Sequence, residues 1–127
     1  KELTVTVLNE KPLCVTEIKT SQNEVFYNYK AKYDKNGSFH EIPAKIPEIT
    51  YQQAMSWALR AHKIIGCKGI SRSDFRYDIK NNKLYMLEIN TQPGMTETSL
   101  SPEQALFCKI SMKKMVNILI EEATYEC

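Results

Sequence analysis

The sequence predicts an α+β fold: a largely antiparallel sheet flanked by helices. Three observations predict it. The chain opens on a run of strict apolar/polar alternation, Glu2-Leu3-Thr4-Val5-Thr6-Val7-Leu8. Two strand-like runs flank the polar turn Lys80-Asn81-Asn82-Lys83. Helical periodicity follows Thr50 and returns near the C-terminus, so strands and helices are grouped rather than strictly alternating. A length of 127 residues suits one modest domain.

Residues 2–9 and 13–19 read as strands joined by the polar turn Asn9-Glu10-Lys11-Pro12. Leu3, Val5 and Val7 fall on one face of the first strand, Thr4 and Thr6 on the other. Residues 24–29 are a candidate extension of the sheet. Residues 31–44 lack any period, are bounded by turn formers, and read as a long surface loop of the kind that is usually functional or mobile. Thr50 is the expected N-cap of a helix, with Gln53 completing a capping box. Ala54, Trp57, Ala58, Ala61, Ile64 and Ile65 supply its apolar stripe, and Gly66 stops it. Trp57 is then a core residue, and His62, off the stripe, faces solvent. The hairpin spans 68–90. Ser101 is the expected N-cap of a second helix with Pro102 in its first turn. A break near Lys109-Ile110-Ser111 precedes a terminal helix with a stripe of Met112, Met115, Val116, Leu119 and Ala123.

The chemistry concentrates in Leu87-Glu88-Ile89-Asn90-Thr91-Gln92-Pro93-Gly94-Met95-Thr96. Residues two apart on a strand share a face, so Glu88 and Asn90 offer hard oxygen ligands side by side at a strand end. Such a pair suits Mg²⁺, which takes one or two protein oxygens and fills its shell with phosphate and water. If the hairpin is centred on Asn81 and carries no bulge, Asp74 lies opposite Glu88 and Arg72 opposite Asn90. Two carboxylates, a carboxamide and a guanidinium make a poor core face and a good site for a metal-bound phosphate chain. Carboxylates and Arg are equally common on a merely solvated hairpin face, so Arg72 and Asp74 alone leave both readings open.

A hydrophobic content of 43% and a charged content of 25% are ordinary for a globular protein. A net charge of +2, with no basic stripe, gives no footing for nucleic-acid binding, and no apolar run approaches a bilayer span. Cys14, Cys67, Cys108 and Cys127 are scattered, and only His40 and His62 could join them, so a zinc site is not expected. Reduced thiols in a cytoplasmic protein are the expectation, with Cys67 and Cys108 packed as small hydrophobes.

Glu88-Ile89-Asn90-Thr91-Gln92-Pro93-Gly94-Met95-Thr96 followed by Ser99-Leu100-Ser101-Pro102 closely resembles the C-terminal signature of D-alanine–D-alanine ligases, members of the ATP-grasp superfamily. Gly66-Cys67-Lys68-Gly69-Ile70-Ser71-Arg72-Ser73-Asp74-Phe75 and Tyr27-Asn28-Tyr29-Lys30-Ala31-Lys32-Tyr33 agree in order and spacing, and Glu2-Leu3-Thr4-Val5 looks like the strand after the adenine-binding hinge. The resemblance covers nearly the whole chain. It implies that residues 1–127 form a C-terminal ATP-grasp domain, incomplete, with an N-terminal domain and most of a central domain absent. Lys1 in place of an initiator Met fits that expectation.

The resemblance also implies roles. Asp74 and Glu88 would hold one Mg²⁺, and Glu88 and Asn90 a second, with Mn²⁺ as a substitute. Arg72 would face the tetrahedral intermediate and the transferred phosphate, and a backbone N–H near Gly94 would complete an oxyanion hole. Ser99 and the Leu100 N–H would receive the carboxylate of the second D-alanine. Lys32 would reach the γ-phosphate of ATP, and Glu2 the ribose hydroxyls. Tyr33 would favour an amine over a hydroxy acid as second nucleophile. Ser73, where an apolar residue is frequent, should face away from the site. The implied partners are small molecules, D-alanine and ATP, with no nucleic acid and no membrane, in a homodimeric full-length enzyme serving peptidoglycan synthesis. Two other readings compete: a different ATP-grasp carboxylate–amine ligase, and a stand-alone binding or regulatory module that keeps the fold without the reaction.

Overall fold

The computed structural model describes residues 1–20 and 38–123. Five strands and three helices follow in the order β1 (Glu2–Leu8), β2 (Lys11–Thr20), β3 (Ser38–Glu41), α1 (Glu48–Ile65), β4 (Ile70–Asp78), β5 (Lys83–Asn90), α2 (Leu100–Phe107) and α3 (Met112–Glu122). The strands form one antiparallel sheet in the order β3-β2-β1-β4-β5. The α+β expectation holds. No helix among the described residues is long and apolar enough to cross a membrane.

The alternation of β1 sorts its side chains as expected. Leu3, Val5 and Val7 join Val15, Phe75 and Tyr77 against Ala54 and Ala58 of α1, forming the main core. Thr4 and Thr6 point to the opposite face, yet they too are fully buried, because α2 covers them. A second cluster, Leu8, Ile70, Ala105 and Met115, ties α2 and α3 to the end of the sheet.

β1 and β2 join through Asn9 and Glu10 alone, both at positive φ (51° and 61°), the geometry of a two-residue hairpin turn. The turn is two residues shorter than the polar run suggested. Residues 38–41, expected in a surface loop, form β3, whose Ser38 pairs with Thr20 and His40 with Ile18. His40 Nδ1 lies 2.7 Å from Glu103 Oε1 and donates to that carboxylate, linking this edge of the sheet to α2. The candidate strand at 24–29, most of the expected loop at 31–44, and Lys32, Tyr33 and Cys127 lie outside the described residues.

The helices begin and bury differently from expectation. α1 starts after Pro47 (φ −55°), without a side-chain cap, and Thr50 is already inside the helix on its buried face. That face is Thr50, Ala54, Ala58 and His62, four residues apart each time. Small side chains let the helix lie close to the sheet, while Trp57, Met55 and Leu59 pack at its flanks. Ile64 and Ile65, expected in the stripe, are 78% and 55% exposed, and His62, expected in solvent, is 1% exposed. Trp57 packs on the core 6.5 Å from the Phe75 ring. Gly66 does end the helix, at φ 80°.

α2 begins at Leu100 with Ser99 flanking it, two residues before the expected cap. The chain already turns there, because Ser99 N–H donates to Thr96 O at 3.0 Å. Ser101 instead sits buried against β1. The expected break falls at Lys109 (φ 65°), and Ser111 caps α3 by accepting from Lys114 N–H. Met115 is the buried residue of α3, and Val116 is exposed. Of the described cysteines, Cys14 is the buried one; Cys67 and Cys108 are half-buried.

Candidate active site

The site lies on the β4–β5 hairpin, and its register depends on an irregularity. The loop at 79–82 connects Asp78 to its partner Lys83. Asn81 donates from both backbone and side chain to the Asp78 carboxylate, holding it below the ordinary carboxylate range. From that loop a regular ladder pairs Tyr77 with Leu84, Arg76 with Tyr85 and Phe75 with Met86. Continued without interruption, it would set Asp74 opposite Leu87. Leu87 is instead an extra residue, a β-bulge, and beyond it Asp74 pairs with Glu88, Ser73 with Ile89 and Arg72 with Asn90. The cross-strand pairs expected from the sequence are present, but through a bulge rather than without one.

Four polar side chains thereby share one face of the hairpin. Arg72 Nε and Nη2 donate to the two Asp74 carboxylate oxygens at 3.1 and 3.2 Å. Thr4 Oγ1, from the neighbouring strand, donates to Asp74 Oδ1 at 2.8 Å. Arg72 and Asp74 are largely enclosed, at 18% and 22% side-chain exposure. A cation settling on Asp74 therefore competes with the Arg72 fork, and would free that guanidinium for another anion. Asn90 Oδ1 accepts from Gln92 N–H at 2.8 Å, which fixes the carboxamide and turns the chain out of β5. Ser73 pairs with Val5 and Ile89 on the α1 face, away from the site.

Glu2, Leu3, Ile18, Asp74, Phe75, Leu87 and Glu88 line a cleft of about 330 Å³ on the sheet beside these groups. Glu2 stands at its rim, bonded to Arg76 Nη2 at 3.2 Å with both side chains exposed. The donor set of Asp74, Glu88 and Asn90 consists of hard oxygens on one face, with two carboxylates directly paired; this fits a Mg²⁺ ion that shares its shell with phosphate. No group of three or more His, Cys, Asp or Glu side chains among the described residues is arranged to hold a metal.

The turn after β5 leads to the start of α2. A Cβ on Gly94 would stand 2.8 Å from Ser99 Oγ, so any larger residue here displaces the Ser99 hydroxyl. Ser99 Oγ accepts from Thr96 N–H at 3.1 Å and lies 2.7 Å from Thr96 Oγ1. Gly94, Ser99 and Leu100 are thus brought together at the N-terminal end of α2.

Two groups escaped the reading from sequence. Thr4 supports Asp74, and the buried Gln104 joins α2 to β1 and β2. Thr4 carried a signal: on an alternating strand it shares the face of Asp74. Gln104 carried none beyond its place on a short helix.

Comparison with known proteins agrees with the fold. The family described as "D-ala D-ala ligase C-terminus" matches residues 1–121. The D-alanine--D-alanine ligase of Gluconobacter oxydans is 47% identical over 123 residues, covering 97% of this chain and 41% of the relative. That of Rhodospirillum rubrum is 50% identical over 123 residues, covering 97% and 39%. Among solved structures, the D-alanine--D-alanine ligase from Bacillus anthracis complexed with ATP superposes with a TM-score of 0.77 at 28% identity, covering 95% of this chain and 38% of that one. The chain spans about two fifths of the length of the curated relatives it matches. With the match running through 121 of 127 residues, the chain belongs to the D-ala D-ala ligase C-terminus family.

Proposed function

We propose that this chain is the C-terminal ATP-grasp domain of an enzyme that joins two D-alanines at the expense of ATP, with an N-terminal domain and most of a central domain lying outside it. The observation that carries the reading is the cross-strand set of Asp74, Glu88, Arg72 and Asn90, beside the Gly94–Ser99 turn, in a chain of this family.

In this reading ATP transfers its γ-phosphate to the carboxylate of the first D-alanine, giving an acyl phosphate and ADP. The amine of the second D-alanine attacks the acyl carbon, the peptide bond forms, and phosphate leaves. A carboxylate nucleophile and a polyanionic nucleotide repel one another, so the residues here supply positive charge and donors. Asp74, Glu88 and Asn90 would hold Mg²⁺, two ions as the resemblance implies, or Mn²⁺ in their place, and the bound metal would supply neutralisation of phosphate charge. Arg72 presents a planar fork of donors to the transferred phosphate and to the tetrahedral intermediate. A backbone N–H beside Gly94 completes the oxyanion site. Ser99 Oγ and the Leu100 N–H, at the positive end of α2, take the carboxylate of the second D-alanine. Glu2 accepts from the ribose hydroxyls at the rim of the 330 Å³ cleft. Lys32 reaches the γ-phosphate and Tyr33 selects the amine nucleophile. The whole enzyme works as a cytoplasmic homodimer supplying peptidoglycan precursors.

Phosphate release by the complete enzyme with Mg·ATP tests the proposal. D-Alanine should stimulate it, with D-alanyl-D-alanine formed in equal amount. Active ATP cleavage that responds to another amino acid and not to D-alanine would instead mark a different carboxylate–amine ligase. The isolated 127-residue chain should make no dipeptide, because the reaction requires groups positioned between domains.

A further inference from the structure

The ladder between β1 and β2 has a gap at Thr6. Val5 pairs with Val15 and Val7 with Pro12, and Thr6 is passed over. Pro12 has no N–H to give, so a regular ladder could not run through it. The gap is closed by a side chain from another element. Gln104 Oε1 accepts from Thr6 N–H at 2.8 Å, while Gln104 Nε2 donates to Thr4 O at 2.9 Å and to Thr16 Oγ1 at 2.8 Å. The carboxamide does the work of a missing peptide group, and it is wholly buried. Three residues earlier, Ser101 Oγ lies 2.8 Å from Thr6 Oγ1, also wholly buried.

α2 is therefore keyed to β1 at two points one turn apart, and Thr4 is engaged at both ends. Its carbonyl holds Gln104, and its hydroxyl holds Asp74. The route from the start of α2 to the carboxylate runs Ser99–Leu100, Gln104, Thr4, Asp74, through the helix backbone, one buried hydrogen bond and one partly buried one. We propose that Gln104 is a positioning residue: by mending the β1 gap it sets where the Ser99–Leu100 helix end stands relative to the Asp74 carboxylate, and so how the acceptor amino acid meets the acyl phosphate. This rests on the reading of Ser99 and Leu100 as the acceptor-carboxylate site.

Two variants of the complete enzyme test it. Gln104→Met keeps the shape and removes every hydrogen bond. It should raise the acceptor KM about ten-fold, the scale of one lost hydrogen bond, and leave the ATP KM near wild type. Gln104→Glu is an isostere when protonated: its carbonyl accepts from Thr6 N–H and its O–H donates to Thr4 O. Its acceptor KM should be near wild type at low pH and climb as the buried carboxyl ionises, a pH profile absent from wild type. If Gln104→Met fails to fold, that profile still decides. Folded variants with wild-type acceptor KM at every pH overturn the proposal, as does a parallel rise in both KM values that follows lost stability alone. If wild-type enzyme shows no D-alanine-stimulated ATP cleavage, the functional reading fails by itself. Hydrogen exchange then decides on Gln104: faster exchange at Thr6 and in the first turn of α2 on Gln104→Met supports the coupling, and unchanged exchange there removes it.

Discussion

Glu88 stands opposite Asp74 because Leu87 is extra. The 79–82 loop and the ladder above it lead toward an Asp74–Leu87 pair, and the bulge advances the strand by one residue so that carboxylate meets carboxylate. Leu87 itself is 58% exposed and lines the cleft beside the pair. Leaving this one residue unpaired thus both keeps the proposed metal ligands in register and furnishes an apolar wall next to them.

Deletion of Leu87 should therefore spare the ligand set. With the unpaired residue gone, the regular ladder from Met86 runs straight on, and Glu88 and Asn90 keep Asp74 and Arg72 as their partners on the same face. The expected result is Mg·ATP binding by calorimetry weakened only modestly, as for Leu87→Ala, because both variants lose the apolar wall of the cleft. Loss of binding in the deletion variant with far-UV circular dichroism retained would show that the local kink of the bulge, and not the pairing alone, positions the ligands.

Asn90→Ala in the complete enzyme should lower turnover and raise the Mg²⁺ concentration needed for half-maximal rate. Loss of even an outer partner of a metal ligand lowers affinity or activity by about 10- to 100-fold, and a ligand should matter at least as much. The turn after β5 should also loosen, since Asn90 Oδ1 accepts from Gln92 N–H. A wild-type rate with unaltered Mg²⁺ dependence would remove Asn90 from the metal set.

Gly94→Ala puts a methyl group 2.8 Å from Ser99 Oγ and 3.4 Å from Ser99 Cβ. Ser99 must move, and its links to Thr96 weaken. The acceptor KM should rise about ten-fold while the ATP KM holds. Steady-state kinetics with each substrate varied in turn will show whether the effect is confined to the acceptor.

His62 should make stability depend on pH. Burial holds its pKa below the ordinary histidine value; Glu10 opposes this shift and Lys63 adds to it. Nδ1 lies 2.6 Å from Ser71 Oγ, and Nε2 has no partner among the described groups to favour a second proton. As pH falls below about 6.5, the unfolded chain takes up a proton that the folded ring refuses, so stability declines toward the folded-state pKa and is level above the window. The fall in melting temperature between pH 7.5 and pH 5 should be smaller in His62→Gln than in wild type. Parallel pH profiles in the two proteins would place the dependence elsewhere.

The parts of this fold that were legible in the sequence are those where one local rule acts alone. Alternation placed β1 and its two faces, and spacing of two placed Glu88 beside Asn90. Gly66 ended α1 because a left-handed residue suits that position. The missed features arise where two elements meet. Nothing in the apolar run around Leu87 marks one residue as unpaired; the partner strand decides that. β3 has no period of its own and forms by pairing with the edge of β2. In the stripe of α1, Ala54 and Ala58 are buried as expected, but the sheet takes Thr50 and His62 in place of Ile64 and Ile65, because the face in contact runs four residues apart each time and His62 can bond Ser71. Gln104 completes a ladder in another part of the chain, which no reading of its own helix reveals. The hairpin pairing of Asp74 with Glu88 was foreseen, yet its cause was not, since the condition set for it was a bulge-free strand.

Away from the Leu8–Ala105 cluster, the layer between α2 and the sheet is made of Thr4, Thr6, Thr16, Ser101 and Gln104, every one of them inaccessible to water. An oily layer of equal area would let a helix settle in several neighbouring positions at little penalty, because contact between hydrocarbons is not directional. Hydroxyls and a carboxamide permit one position, since displacement by even part of a turn strands several buried donors at once. Such a layer also exposes little hydrocarbon when it opens. Its parting from the sheet should carry a small heat-capacity change for its area, and its strength should fade less on cooling than that of the core on the α1 side.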